Sequence, residues 1–470
     1  MVIEYFKKIS QIPRASFQEE KIADFLVDFA NNRGLTVYRD AMNNVIIYKA
    51  ASEGYEDHAP VMLQGHTDMV AEKNEDSNHN FDTDPIEIIE KDGWFHANNT
   101  TLGADDGVAV AYMLAILDDM SLKHPPLECV FTVQEEVGLT GAVNLDFSKL
   151  SATRLIGLDS SGEYRTTISS SGGTRGEINY PIKYEKTLKN RMTIQVRGLL
   201  GGHSGADIDK EKANAIKLAT DVLFLLLEDF DIGFSSINGG LKENAIPREC
   251  DLILGVRSEQ SDEISEKLVD IEKQIKSVYR ISDPDISIKG VVELKDTYVL
   301  NGLDTTEFSR LMYLLPFGYF HKSMVIDNLV VHSMNIGTIR TNQDKITVAI
   351  SIRSPQPYLM NSTKRQVNSI CDLCNAEASY HSGYPGWDYD PQSQLRITLE
   401  EAFREQYGFD IKLEATHGGL ELGIFKGHMP DLDIVAFGPI MHDIHTPNER
   451  LDIESFKRTF ELLKNLLKKL

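Results

Sequence analysis

Apolar positions recur along this chain with two periods, and the switches between them set the expected elements. Ile22, Phe25, Leu26 and Phe29 fall at i, i+3, i+4 and i+7, which predicts an amphipathic helix stopped by Gly34. Ser16-Phe17-Gln18-Glu19 ahead of it has capping-box form. Short apolar runs follow at 35–38, 44–48, 61–63, 130–133, 155–158 and 434–437, each too short for a helix. Between them, 107–114 reads as a helix. The stretch 453–464 has helical spacing, with lysines crowding its end where the helix dipole favours them. Strands alternating with helices predict an α/β domain whose sheet carries helices on both faces.

That pattern breaks twice. One break is the composition change Ser169-Ser170-Ser171-Gly172-Gly173, followed by a charged crossing at 184–190. The other is Ser382-Gly383-Tyr384-Pro385-Gly386-Trp387, after which 395–397 and 400–403 resume the α/β pattern. The interval of roughly 195 residues is long enough for its own core. The expectation is a discontinuous catalytic domain, 1–187 and 385–470, with a lid at 188–384. Within the lid, strand runs at 192–196 and 347–352 accompany helices at 212–227 and 261–278, an α+β composition.

The strand-like runs of the first domain end at side chains suited to holding cations. The run 61–63 leads to His66 and Asp68, 130–133 to Glu135 and Glu136, and 155–158 to Asp159, while 434–437 lies upstream of His445. Gly103-Ala104-Asp105-Asp106-Gly107 opens the helix at 107. In open α/β sheets ligands gather beyond the carboxyl ends of the strands, where residues distant in sequence converge. Two adjacent hard or borderline cations need imidazole nitrogens and carboxylate oxygens, with one carboxylate bridging and another left free as a base. His66, Asp105, Glu136, Asp159 and His445 would be the ligands. Glu135 would be the general base toward a water held between the cations. Asp68, two residues beyond His66 on the same side of an extended segment, would orient its imidazole. Singly, each piece has a bland reading: a surface turn, a solvated acidic face, a helix cap. Their joint occurrence at strand ends points to a two-metal hydrolase.

The segments Gln64-Gly65-His66-Thr67-Asp68-Met69-Val70, Thr101-Leu102-Gly103-Ala104-Asp105-Asp106-Gly107, Gln134-Glu135-Glu136-Val137-Gly138, Gly201-Gly202-His203-Ser204-Gly205 and His417-Gly418-Gly419-Leu420-Glu421 resemble those of bacterial aminoacyl-histidine dipeptidases. These are carnosinase-type, cytosolic nonspecific dipeptidases within the larger group of di-zinc peptidases and deacylases. The resemblance runs from His66 to His445. It implies a catalytic domain with a mixed sheet flanked by helices and an inserted α+β lid, and two Zn2+ per chain, with Mn2+ or Co2+ as other occupants. The implied reaction is hydrolysis of dipeptides, of Xaa-His or β-alanyl-histidine type or more broadly, in the cytoplasm. Asp106 and the long insertion point to the dipeptidase branch rather than to the short deacylases. By the same resemblance His203 stabilises the oxyanion, Asn244 contacts substrate, and Arg353 clamps a substrate carboxylate, with Arg340 as its competitor. His417 and Gly418 shape the pocket, and the lid offers a homodimer interface.

Composition narrows the alternatives. With 470 residues the chain exceeds what one core usually holds, and 41% hydrophobic content describes a globular enzyme. Its net charge of −23 argues against nucleic acid as a partner. No basic segment followed by an apolar stretch opens the chain and no apolar run spans a membrane, so secretion and membrane insertion are not expected. Four cysteines are too few for a disulfide scaffold, and Cys371-Asp372-Leu373-Cys374 lacks the partners of a zinc site. A serine hydrolase is disfavoured because Gly202-His203-Ser204-Gly205 lacks the G-x-S-x-G spacing. A non-catalytic peptide-binding protein on this fold would have lost ligands or base, and all seven positions are here. A tripeptidase, aminopeptidase or N-acyl-amino-acid deacylase is the alternative among enzymes.

Overall fold

The computed structural model describes residues 1–185 and 190–470. The chain divides into two compact units. One comprises Met1–Ser170, Trp387–Ala415 and Leu420–Leu470; the other comprises Ser171–Gly386 and Thr416–Gly419. The first division falls within the serine and glycine stretch at 169–173, while the boundary expected at 187/188 lies outside the described residues. The strand Gly172–Pro181 belongs to the inserted unit because it pairs along its whole length with Lys345–Ser354. The return crossing comes between Gly386 and Trp387, against an expected 384/385.

The first unit is built on an eight-stranded sheet in the order Thr36–Arg39, Val45–Lys49, Leu127–Thr132, Val61–His66, Arg154–Gly157, Asp433–Ala436, Arg165–Ser170 and Lys412–Thr416. The four strands from Leu127–Thr132 to Asp433–Ala436 run parallel. Their carboxyl ends therefore share one edge. Alternate residues divide between two cores: Val61, Leu63, Cys129, Phe131 and Ile156 face one, Met62, Val130, Leu155 and Ile434 the other. Burial on both faces explains why these strands read as continuous apolar runs.

Helix Ala104–Asp118 packs on the Val61–His66 strand and is buried from Gly107 to Leu117, in keeping with an apolar sequence on all sides. Helix Val2–Ile9, for which the sequence reading made no provision, packs against it through Phe6 and Ile9. Helix Glu20–Asn31 forms as the spacing predicts, and Gly34 follows at a left-handed φ of 66°. The capping box does not form: the helix starts at Glu20, Ser16 donates to Asp68, and Glu19 accepts from the Phe17 and Gln134 amides. Residues 395–397 and 400–403 lie in one helix, Gln394–Tyr407. The last helix runs Ile453–Lys469.

The inserted unit has a nine-stranded antiparallel sheet with Ser287–Leu300 and Glu377–Tyr384 at its edges. Helices Ala215–Asp229, Ser261–Tyr279, Gly302–Leu314 and Pro357–Leu373 contribute to its core. A two-stranded ribbon, Gly202–His203 with Ala245–Ile246, stands apart from that sheet. Among the described residues, no helix is long and apolar enough to cross a membrane.

Candidate active site

The parallel strands of the first unit deliver their chemistry at one edge. His66 ends its strand, Glu135 and Glu136 follow Leu127–Thr132, and Asp159 follows Arg154–Gly157. His445 comes from the loop between Met441–His442 and Arg450–Asp452, which pair antiparallel. Its backbone is left-handed, with a φ of 65°.

The two imidazoles grip the two oxygens of one carboxylate. Asp105 Oδ1 lies 3.0 Å from His66 Nε2, and Asp105 Oδ2 lies 3.1 Å from His445 Nε2. Glu136 Oε1 is 2.8 Å from His445 Nε2, yet it is buried without a hydrogen bond of acceptable angle. Close approach without hydrogen-bond alignment is what two donor atoms aimed at a common cation would show. Asp105, Glu136 and His445 form one convergent set of possible ligands; His66 gathers Asp106 and Asp159 on one side and Glu135 and Glu136 on the other. All five expected ligands and the expected base thus meet in one place. Asp106 was not expected among them. It is wholly buried, caps the helix by accepting from the Ala109 amide, and also accepts from the His66 amide at 3.3 Å. Gly65 permits this approach, since a Cβ there would stand 2.4 Å from Asp106 Oδ2 and 2.2 Å from Ala109 Cβ.

Electrostatics mark the cluster as short of positive charge. Burial pushes Glu135 up to about 9, with Asp159 adding to the rise and His66 opposing it. Burial and the neighbouring Asp105 raise Asp159 to about 7. His445, paired with the carboxylates of Asp105 and Glu136, rises to about 10. Crowded carboxylates that hold protons this tightly are relieved by cations.

The supporting residues are well placed. His66 Nδ1 lies 3.1 Å from the Asp68 carbonyl and 3.4 Å from Asp68 Oδ1. Asp68 Oδ1 also accepts from the Glu135 amide and Oδ2 from the Glu136 amide and Ser16 hydroxyl, so one carboxylate ties the His66 loop to the Glu-Glu dyad. Three further groups escaped the sequence reading. Glu449 accepts four successive backbone N–H groups, Leu102 to Asp105, at 2.8–3.3 Å. Arg14, fully buried, donates to the carbonyls of Thr67, Asp68 and Gly103. Glu421 accepts from Gln64 Nε2 and Thr132 Oγ1 at 2.6 and 2.7 Å, with its other oxygen buried and unpartnered. Glu421 closes the His417 motif and Glu449 stands four residues past His445. Nothing in their spacing distinguishes them from solvated acids.

The inserted unit holds a second cluster. Arg353 is buried, donating to Tyr384 Oη at 3.2 Å and Ser204 Oγ at 3.3 Å, while its Nε has no partner. Among the described residues of its own unit, no carboxylate lies in ion-pair range of it. His417 shares a 2.7 Å hydrogen bond with Ser333 and is driven down to about 3 by burial and by Arg353. His203 is lowered for the same reasons. Its Nδ1 accepts from the Gly205 and Ala206 amides, which leaves the proton on Nε2. The same bonds deny His203 to Ser204 as a base, against the serine-hydrolase reading. Asn244 is exposed beside the ribbon, and its carbonyl accepts from the Ser204 amide. Gly418 donates to Thr416, and a Cβ on Gly419 would overlap the Tyr384 ring at 2.5 Å. Arg340 spends its guanidinium on the carbonyls of Gly239, Ile339 and Gly240, which leaves Arg353 the freer of the two candidates.

Comparison with known proteins agrees. Residues 62–469 match the profile of peptidase family M20/M25/M40. The cytosol non-specific dipeptidase of Escherichia coli (strain K12) is 33% identical over 475 residues, covering 99% of this chain and 97% of the relative. The crystal structure of aminoacylhistidine dipeptidase from Vibrio alginolyticus superposes with a TM-score of 0.95 at 32% identity, covering 100% of this chain and 96% of that one. Aminopeptidase PepT from Bacillus cereus ATCC 10987 shares the fold, with a TM-score of 0.57 at 17% identity over 100% and 97% of the two chains.

Proposed function

The chain belongs to peptidase family M20/M25/M40, and we propose that it is a metal-dependent dipeptidase using two divalent cations, Glu135 as general base and Arg353 as reader of the substrate carboxylate. The observation that carries this reading is the Asp105 carboxylate with one imidazole Nε2 on each oxygen and a high-pKa carboxyl, Glu135, beside it. The donor set, two imidazoles with several carboxylates, suits Zn2+, with Mn2+ or Co2+ as other occupants. His66, Asp105, Glu136, Asp159 and His445 would hold the pair. Such cations polarise a peptide carbonyl and lower the pKa of water near them.

The remaining steps belong to the chain. Glu135, whose carboxylate form the cations would favour, takes a proton from the attacking water and passes it to the leaving amine. Asp68 holds the His66 ring. His203, with its proton on Nε2, donates to the developing oxyanion. Arg353, buried and with no ion pair among the described residues of its own unit, takes the terminal carboxylate, and Asn244, His417 and Gly418 bound the substrate. Preference for Xaa-His or β-alanyl-histidine over other dipeptides belongs to this proposal, as does work in the cytoplasm, following the named relatives. So does pairing of two copies through the inserted unit, supported by the edge strand Ser287–Leu300 with Val291, Val292, Leu294 and Tyr298 exposed.

A panel of dipeptides, tripeptides and N-acyl amino acids, assayed with and without added Zn2+, tests the reading. Dipeptides should be cleaved fastest and chelation should stop the reaction. Faster turnover of tripeptides or acyl amino acids would move the chain to the tripeptidase or deacylase alternative.

A further inference from the structure

Apart from both clusters, the inserted unit has a cavity of about 580 Å3 whose charge is opposite to that of the protein. Four cations line it, Arg197, Lys242, Arg248 and Arg340, against two acids, Glu249 and Asp251, in a chain of net charge −23. Arg197 engages both acids, at 3.7 and 2.6 Å. Arg340 is held by backbone carbonyls, which satisfy its N–H groups without neutralising its charge. Arg248 and Lys242, both exposed, make no ion pair among the described residues. A concave site with surplus cations concentrates anions. Apart from Asn238 and the glycines, the rest of the lining is apolar: Ile246 and Cys250 are buried in the wall, and Leu200 and Leu241 are exposed beside it. Apolar lining with a few charged groups fixes orientation through charge and gains affinity through hydrocarbon burial.

The cavity adjoins two of the substrate readers without being lined by them. Gly202 and Ala245 line it, whereas their neighbours His203 and Asn244 do not. Asn244 lines an adjoining cavity of about 410 Å3 together with Arg175, and the two cavities share Leu241, Lys242 and Arg340.

We propose that the 580 Å3 cavity is a binding site for an organic anion, a carboxylate joined to a short hydrocarbon group, seated against the ribbon that carries His203. The proposal rests on the charge and shape of the inserted unit and not on the dipeptidase reading.

Calorimetric titration with hexanoate of the full chain, zinc-loaded and again after chelation, tests it. One saturable site should appear in both forms, which separates this site from a carboxylate resting on metal. The exposed double substitution Arg248→Glu, Lys242→Glu should weaken hexanoate roughly tenfold or more, and Arg248→Lys should leave it within about threefold. Acetate, lacking the hydrocarbon, should bind roughly tenfold more weakly than hexanoate. Hexan-1-ol should not compete. Should the double variant unfold, as its melting curve would reveal, Arg248→Ser alone carries the test. Unchanged affinity in a folded variant, loss of the site on chelation, or equal affinity for acetate and hexanoate would each overturn the proposal.

Discussion

In the first unit, Asp105, Glu135, Glu136, Asp159 and Glu421 crowd around two imidazoles. In the inserted unit, one guanidinium lies buried among neutral histidines, hydroxyls and glycines. Each arrangement leaves charge uncompensated, and with opposite sign. In the acidic cluster the imbalance shows as carboxyls that retain protons, Glu135 to about 9 and Asp159 to about 7, burial being the first cause. In the basic cluster it shows as a histidine that refuses them, His417 at about 3. An unpaired buried charge is costly unless a ligand completes it. The first cluster therefore calls for cations and the second for an anion, the two things a metal-dependent dipeptidase must bind.

The largest effects should come from breaking the acidic side. Chelation should abolish dipeptide hydrolysis, with re-addition of Zn2+ restoring it. Glu135→Gln should lower kcat by about 10^3-fold or more with both cations still bound, whereas Glu136→Gln should lose bound metal, measured by elemental analysis of the dialysed protein. Near-normal turnover in Glu135→Gln would remove it as base.

On the basic side, a charge-assisted contact of about 1.5–3 kcal/mol predicts that Arg353→Ala lowers kcat/KM roughly 10–150-fold. Amidating the substrate carboxylate should cost wild type a similar factor and the variant little more, because both changes remove one interaction. Additive losses would show that Arg353 reads something else.

Much of the acidic cluster was legible in sequence because His66, Glu135, Glu136 and Asp159 end or follow apolar runs of a parallel sheet, whose carboxyl ends share one edge. Its scaffolding was not. Glu449, Arg14 and Glu421 act on backbone amides, carbonyls and uncharged side chains, and such partners leave no complementary residue type in the sequence. The capping box misled for the same reason: Ser16 and Glu19 have the right spacing, but tertiary partners compete for both. Helix Val2–Ile9 owes its place to packing on Ala104–Asp118. In the basic cluster, spacing alone did not rank Arg353 above Arg340. What separates them is three backbone carbonyls, visible only in the fold.

A smaller effect tests whether the acidic cluster depends on that scaffolding. Glu449→Gln keeps one oxygen but presents an N–H pair to amides that now donate to a carboxylate, so roughly half of the four contacts fail. The loop bearing Asp105 should loosen, weakening metal affinity about 10–100-fold in a competition titration, with kcat near normal at saturating metal. Unchanged affinity would make Glu449 a purely structural acid.

The smallest effect concerns stability in the metal-free protein, where the two clusters should respond to pH with opposite sign. Burial raises Glu421 from 4.5 to about 8, against the pull of His66. A carboxyl whose folded pKa exceeds its unfolded one contributes stability below pH 4.5 that is lost as pH rises through about 8. His417 is depressed from 6.5 to about 3, first by burial and then by Arg353, so its contribution is present above 6.5 and lost as pH falls toward 3. Measured by calorimetry, Glu421→Gln should gain melting temperature relative to wild type as pH climbs from about 5 to about 8, by a few degrees. His417→Gln should gain in the other direction, as pH falls from about 6.5 to about 4.5. The direction of change, not the absolute melting point, is the readout, since either substitution disturbs packing at every pH. Parallel curves for Glu421→Gln and wild type would mean that this carboxyl is not held protonated by its surroundings. The charge contrast between the two clusters would then rest on Glu135 and Asp159 alone.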